Sequence, residues 1–536
     1  MRLRPAIALL LVGVLIGLIL GYTLSEHVRF ANPAAPTPSP TGTRLAPAPS
    51  TTPATASPTI VVSPAADSGL VAARGTTYYV SDTGSDANPC TRARPCASAS
   101  RAGSLAHPGD TIGVITGTYV ITAGTPPQTS VLSVYDVVGR PTAPITLAAL
   151  GPVTMTRAVD ASGVVPDSEQ NNPLMRFAND AYVTVRGFTL IGSIGQPGYN
   201  PNDEPYGGEM LFQNAAGASN GYLTVQGNTV EHAVNTCIKF QDGQPYETIV
   251  GNVLIDCGAG PNGYLNHPIY FTGPHSVVAS NVISGTSGFG IQGRGDDGWS
   301  LITDNVVEGV RGGAGITVDA HPMTITDNII VSPRNGCVQL NDGVGQTFTG
   351  NQCIDADLGG DEGGQTPVML SGIYSQPISG TIIAHNTFYN ARTVYGEIRA
   401  NASLGNGPVQ TGPLTIADNL FIRDRSLGFG PNLSLYYGAP SPISTTLASN
   451  AYVGLHPIEG CTSGPYFCHN VPVAGHPTVN NEPNPAIPYD TDPQLTLTPI
   501  IPTRPGLPAT VGVLAPIPDL HPKPSSPLYG KGVGAY

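Results

Sequence analysis

One pattern returns nine times along this chain and limits what it can fold into. A short β-rich run leads to a small or polar residue, then an asparagine, any residue, and a second apolar run. It reads LTVQGNTV around Asn228, TIVGNVLI around Asn252, VVASNVIS around Asn281, LITDNVVE around Asn305 and TITDNIIV around Asn328. It continues as TFTGNQCI around Asn351, IIAHNTFY around Asn386, LTIADNLF around Asn419 and TLASNAYV around Asn450. Successive asparagines are 24, 29, 24, 23, 23, 35, 33 and 31 residues apart, and VTVRGFTL near Gly187 has the same form without the asparagine. Val, Ile and Thr alternate as in half-buried strands. Asn tolerates the left-handed backbone of a tight turn, so each copy is expected to be two strands joined at the Asn. Identical turns at a period of one coil predict a stacked ladder of hydrogen-bonded amides.

Between copies runs a third apolar–polar segment: CIKFQD (237–242), PIYFTG (268–273), GIQGRGD (290–296), GITVDA (315–320), CVQLND (337–342) and PVMLSG (367–372). Three strands per coil without helical crossovers predict an all-β fold, a parallel β-helix of about ten or more coils. The steps are too short for propeller blades of ~40–50 residues, and the L-x-x-L-x-L pattern of leucine-rich repeats is absent.

Composition agrees. Of 536 residues, 66 are Gly and 53 Pro, and charged residues make up 11%, which suits a turn-rich strand protein and excludes coiled coils and bundles. The formal net charge is −13, with 23 basic residues against 36 acidic and no basic stripe, so nucleic acid is not an expected partner.

Arg2 and Arg4 precede an apolar run over 6–20, so residues 1–30 read as a signal-anchor or a cleaved signal peptide. Either one exports the rest of the chain. If uncleaved, it is a single transmembrane helix tethering the protein to a membrane. Residues 31–75 are rich in Pro, Thr, Ser and Ala, a disordered spacer that cannot bury a core. The folded body is expected over 76–536, with a repeat core over about 111–455 and a C-terminal extension and closing strand over about 456–536. All eight cysteines fall in local pairs, in keeping with disulfides in an exported chain. The expected bridges are Cys90–Cys96 and Cys461–Cys468, each closing a short loop, while the pairing of Cys237, Cys257, Cys337 and Cys353 stays open.

The stretch TTYYVSDTGSDANPCTRARPCASASRAGSLAHPGDTIGVITGTYV (76–120) resembles the opening segment of exported right-handed parallel β-helix proteins of the pectate-lyase-like superfamily. In that group a YYVS strand and a GSD-NP loop lead to a short capping helix, placed here over 98–106, and the first coil, here 111–120. The ending SPLYGKGVG (526–534) resembles the group's closing strand. The resemblance implies a right-handed β-helix acting on extracellular polysaccharide in a groove on the outer face of one sheet. It does not select an activity, because many chemistries share the scaffold.

Aligning the third strands on their inward Ile or Val puts Lys239, Tyr270, Gln292, Thr317 and Gln339 in one outward column and Gln241, Thr272, Arg294, Asp319 and Asn341 in the next. Asp242, Asp296, Asp297, His321 and Asp342 lie just beyond, and His267 precedes Tyr270 by three residues. The candidate catalytic residues are Lys239, His267, Tyr270 and Arg294. Removing the proton next to a uronate carboxylate calls for a base such as Lys, or for a Tyr/His pair, and Arg294 suits a sugar carboxylate. The expected glycan contacts are Gln241, Gln292, Asp319, His321, Gln339, Asn341 and the single tryptophan, Trp299, with Tyr199 and Tyr264 as further stacking candidates. Asp296, Asp297 and Asp319 read as a calcium site or as an acid/base pair for glycosidic cleavage, and the acidic loop with Asp357, Asp361 and Glu362 as a second cation loop. Each has a plainer reading: a solvated Lys239, an Arg294–Asp319 ion pair, an Asp-Gly turn, a packed His267.

Two functions therefore stand. The first is a polysaccharide lyase, ahead of a hydrolase or epimerase. The second is a non-catalytic glycan-binding or adhesive surface protein, favoured by how few cations the face carries. In both the partner is a cell-surface or extracellular glycan and the chain acts as a monomer.

Overall fold

The computed structural model describes residues 75–121, 130–157, 172–192, 208–214, 221–258, 266–295, 298–319, 322–341, 344–356, 367–371, 379–390, 398–401, 413–422, 435–437, 445–453, 486, 492–502 and 514–535. The N-terminal segment and spacer, with their signal, anchor and linker readings, lie outside the described residues. Among the described residues no helix is long and apolar enough to cross a membrane.

The repeat folds as its period predicts. Three parallel sheets of 13, 11 and 12 strands run the length of the body, and neighbours within each sheet come from successive coils. In one coil, Thr224–Gln226 belongs to the first sheet, Thr229–Glu231 to the third and Thr236–Phe240 to the second. The next coil repeats this with Thr248–Val250 and Val253–Cys257. The chain is a right-handed parallel β-helix, the hand that right-twisted parallel strands favour.

Inward side chains fill one continuous core from Val80 to Tyr452. Aromatics stack along its axis, Phe177 on Phe212 on Phe240 with centroids 4.5 and 4.3 Å apart, and Phe388 on Phe421 at 4.9 Å. The amide ladder is complete. Each Asn from 228 to 419 donates its side-chain N–H to the Oδ1 of the next Asn at 2.9–3.1 Å. Each also donates to a main-chain carbonyl of the preceding coil, as Asn305 does to Val278. The backbone N–H of Phe188, in the copy that lacks Asn, donates to Asn228 Oδ1 and starts the ladder. One detail differs from expectation. The left-handed residue is the one before each Asn (Gly227, Gly251, Ser280, Asp304, Asp327, Gly350, His385, Asp418, Ser449). The Asn itself is therefore spared the strained backbone and directs its amide inward.

The N-terminal end is closed by a helix at Ala99–Leu105. Ser98 caps it by accepting from the N–H of Arg101, and Ala99, Ala102 and Gly103 are its buried residues. At the other end the outcome departs from the sequence reading, because 526–534 forms successive turns and not a strand. It is a strap. Leu528 and Val533, with Leu495, Leu514, Ile517 and Leu520, form a second apolar cluster with Val282, Val306, Ile329, Ile354 and Leu420 of the third sheet. The N–H groups of Gly534 and Ala535 donate to Asp418 O and Thr387 Oγ1. Covering this sheet hides apolar side chains that would otherwise face water.

Cys90–Cys96 is formed as expected. The four cysteines left open pair as Cys237–Cys257 and Cys337–Cys353, each joining a second-sheet segment to the third-sheet strand of the following coil. Cys461 and Cys468 lie outside the described residues.

Candidate functional site

The second sheet holds the outward column that the alignment predicts. Pairing runs Arg176↔Leu211↔Lys239↔Tyr270↔Gln292↔Thr317↔Gln339↔Met369 from coil to coil. Each lies between two inward residues of its strand, as Lys239 lies between Ile238 and Phe240, so alternation alone turns it outward. Lys239, Tyr270, Arg294 and Asp319 thus share one face.

That face has an open half and a closed half. Lys239, Gln241, Tyr270 and Thr272 are half-buried, and the Arg294 side chain is 47% exposed. Gln292, Thr317, Asp319 and Asn341, expected to be exposed, are 7%, 1%, 3% and 2% exposed. The reason is local. Asp319 and Asn341 bond to neighbouring side chains instead of to water, whereas Gln292 Oε1 and Thr317 Oγ1 are enclosed with no hydrogen-bond partner among the described residues. Gln339 Nε2 donates to Asn341 Oδ1 at 2.8 Å, Asn341 Nδ2 donates to Asp319 Oδ1 at 2.7 Å, and Arg294 Nε lies 3.7 Å from Asp319 Oδ2. The plainer reading of Arg294 is therefore realised: it pairs with Asp319. A matching relay lies on the other side of Lys239. Arg176 donates from Nη2 to Gln213 Oε1 at 3.0 Å, and Gln213 donates from Nε2 to Gln241 Oε1 at 2.8 Å.

Between the two relays sit Lys239 and Tyr270. Lys239 Nζ is 5.7 Å from the centre of the Tyr270 ring, within cation–π range. Burial lowers the Lys239 pKa from its ordinary value. His267 stacks on Tyr270 with centroids 5.9 Å apart and is 2% exposed. Burial first, then the charges of Lys239 and Arg294, push its pKa down to about 3. Its Nδ1 accepts from the N–H of Phe289 at 3.2 Å, which leaves the proton of the neutral ring on Nε2. Such an imidazole is a poor general base near neutral pH. Its geometry suits holding Tyr270.

Asp319 does not fit calcium ligation, since one carboxylate oxygen accepts from Asn341 and the other faces a guanidinium. Among the described residues no three His, Cys, Asp or Glu side chains gather as a metal cluster. Asp296, Asp297, His321 and Asp342, like Tyr199, Tyr264, Asp357, Asp361 and Glu362, lie outside the described residues.

Trp299 is not in the column. It stands at a turn leading into the first sheet, 58% exposed, at the end of a stripe that the sequence reading missed. Tyr182, Tyr222, Tyr246, His275 and Trp299 stack ring on ring, with centroids 4.5, 4.5, 4.9 and 5.6 Å apart, and all five are left-handed. The signal was available: each aromatic stands six residues before a ladder position, and the next copies carry Pro322, Gly345 and Gly380 there. Because the rings cover each other's faces, the stripe presents mainly ring edges to solvent.

No protein-family model matches the chain, and no curated protein sequence matches it. Among solved structures it is similar to pectate lyase Pel9A, at 17% identity and a TM-score of 0.42, over 63% of this chain and 81% of that one. A rhamnogalacturonan lyase matches at 14% identity and 0.40, over 69% and 87%. A GH136 lacto-N-biosidase from Eubacterium ramulus matches at 15% and 0.39, over 70% and 68%. By its own coils this chain is a right-handed parallel β-helix protein.

Proposed function

We propose that the open half of the second sheet is a glycan groove and that the protein is an extracellular polysaccharide lyase acting on acidic chains. The observation that carries this is Lys239: it stands on an outward column, packed on Tyr270, with its pKa lowered by burial. A lysine with a lowered pKa is neutral more often at working pH and can take a proton. The resemblance of 76–120 to the opening segment of pectate-lyase-like proteins, and the disulfides in keeping with export, support the same reading.

In this reading the exposed part of the Arg294 guanidinium, beyond its contact with Asp319, faces the sugar carboxylate and disperses the charge that builds as the neighbouring C–H is broken. The neutral Lys239 Nζ takes that proton. The electron pair forms a carbon–carbon double bond as the β C–O bond breaks, and the leaving oxygen takes a proton from the Tyr270 hydroxyl. His267 stays neutral and holds the Tyr270 ring. The products are an unsaturated uronate end and a new reducing end, with no water consumed.

The test is to incubate the full chain with polyuronates and neutral glycans, with and without calcium, and follow ultraviolet absorbance. A rise with polyuronates alone is expected. Binding of polyuronates without any product would replace the lyase with the adhesive reading.

A further inference from the structure

Arg176 has no part in the chemistry above, yet it stands in the same column as Lys239, two coils toward the N-terminus. Between them, on the intervening coil, the outward residue is the buried Leu211. Arg176 is half-buried, and among the described residues no carboxylate pairs with it and its buried Nε has no partner. The bond to Gln213 Oε1 fixes one edge of the guanidinium, and the Gln213–Gln241 bond ties that amide to the residue two beyond Lys239. This arginine is held in place with its Nε enclosed and, among the described residues, no carboxylate pairing with its guanidinium. A guanidinium has five N–H donors in a fixed fork that matches a carboxylate.

Spacing supplies the second argument. Coils in a parallel sheet lie ~4.8 Å apart, so Arg176 and Lys239 are separated by about 10 Å along the axis. Arg294 follows the strand two coils beyond that of Lys239, so the two arginines flank Lys239 at equal steps of two coils. An extended 1,4-linked pyranose chain advances by close to one coil spacing per sugar. If it is two-fold, every second carboxylate points the same way. Building on the lyase reading, we infer that Arg176 is a carboxylate-binding subsite two sugars from the residue over Lys239, and that the groove selects linear chains charged on alternate sugars of one side.

The experiment compares dissociation constants of acidic oligosaccharides of increasing length, using Lys239→Gln protein so that nothing is cleaved. Affinity should rise once the oligosaccharide is long enough to reach Arg176. In a Lys239→Gln/Arg176→Gln double variant that gain should fall roughly ten- to a hundred-fold. Lysine at position 176 should restore only part of it, because it keeps the charge and loses the fork. Neutral oligosaccharides should show no Arg176-dependent gain. If Arg176→Gln leaves the length dependence intact while the acidic chains still bind, the subsite is wrong and the lyase reading stands. If no acidic chain binds the single variant and the wild type makes no unsaturated product, both fail. Matched melting temperatures of the variants exclude misfolding as the cause.

Discussion

The asparagine ladder and the outward column of the second sheet ride on the same coils and differ in every respect. The ladder repeats one residue nine times, each rung 0–1% exposed and bonded to the next in the same way. The column changes residue at every coil, from Arg176 through Leu211, Lys239 and Tyr270 to Gln292 and Thr317. A stack of coils is stabilised by translational sameness, since each new rung satisfies the donors and acceptors of the last. Recognition needs the opposite, a place where one coil differs from its neighbours. The aromatic stripe falls between, repeating over five coils and then stopping at Pro322.

The first way to break this contrast is to swap the expected consequences. Lys239→Gln should lower turnover of acidic glycan by about 10²- to 10⁴-fold and change stability by no more than ~0.5 kcal/mol in denaturant melts. Asn305→Ala should do the reverse. It removes the acceptor of both the backbone N–H and the side-chain amide of Asn281, and the side-chain donor to Asn328 Oδ1 and the Val278 carbonyl, and should cost about 3–5 kcal/mol, read by denaturant unfolding. A third comparison uses the two inner disulfides. Replacing Cys337 and Cys353 with Ser should cost about 3 kcal/mol by loosening a loop of 16 residues, without a specific effect on turnover. Replacing Cys237 and Cys257 should lose stability and turnover together, because Cys237 stands on the strand of Lys239.

The last comparison is the response to acid. His267 is held neutral in the fold with a pKa of about 3, against the ordinary ~6.5 of an unfolded histidine. Between these values the unfolded chain binds the extra proton, so this group's contribution is full above pH ~6.5 and is lost as pH falls toward ~3. His267→Gln should flatten that part of the curve of melting temperature against pH.

Much of the fold was legible because it is written in repetition. The Asn spacing gave the coils, the β-rich runs gave the three strands, and the alternation in CIKFQD and PIYFTG placed Lys239 and Tyr270 in one column. What was not legible depended on how side chains settle. Gln292, Thr317, Asp319 and Asn341 carry the polar signature of a surface, yet all four are buried, Asp319 and Asn341 within the bonds that link Gln339, Asn341, Asp319 and Arg294, which no residue-by-residue alternation encodes. The pairing of Cys237 with Cys257 needed the coil geometry. Arg176 does not stand out in the sequence because its strand, MRFA at Met175–Ala178, belongs to a coil without the asparagine.

The central claim is that burial on this face turns Lys239 into a usable base. The chain has three lysines, Lys239, Lys523 and Lys531, so selective labelling of lysine side chains gives a spectrum simple enough to assign by one variant. The decisive measurement is an NMR titration of the side-chain carbon next to Nζ. The resonance absent from Lys239→Gln should titrate below the ordinary lysine value of ~10.4 and move upward when an acidic oligosaccharide binds. A midpoint at or above the ordinary value, unmoved by the oligosaccharide, would contradict the account.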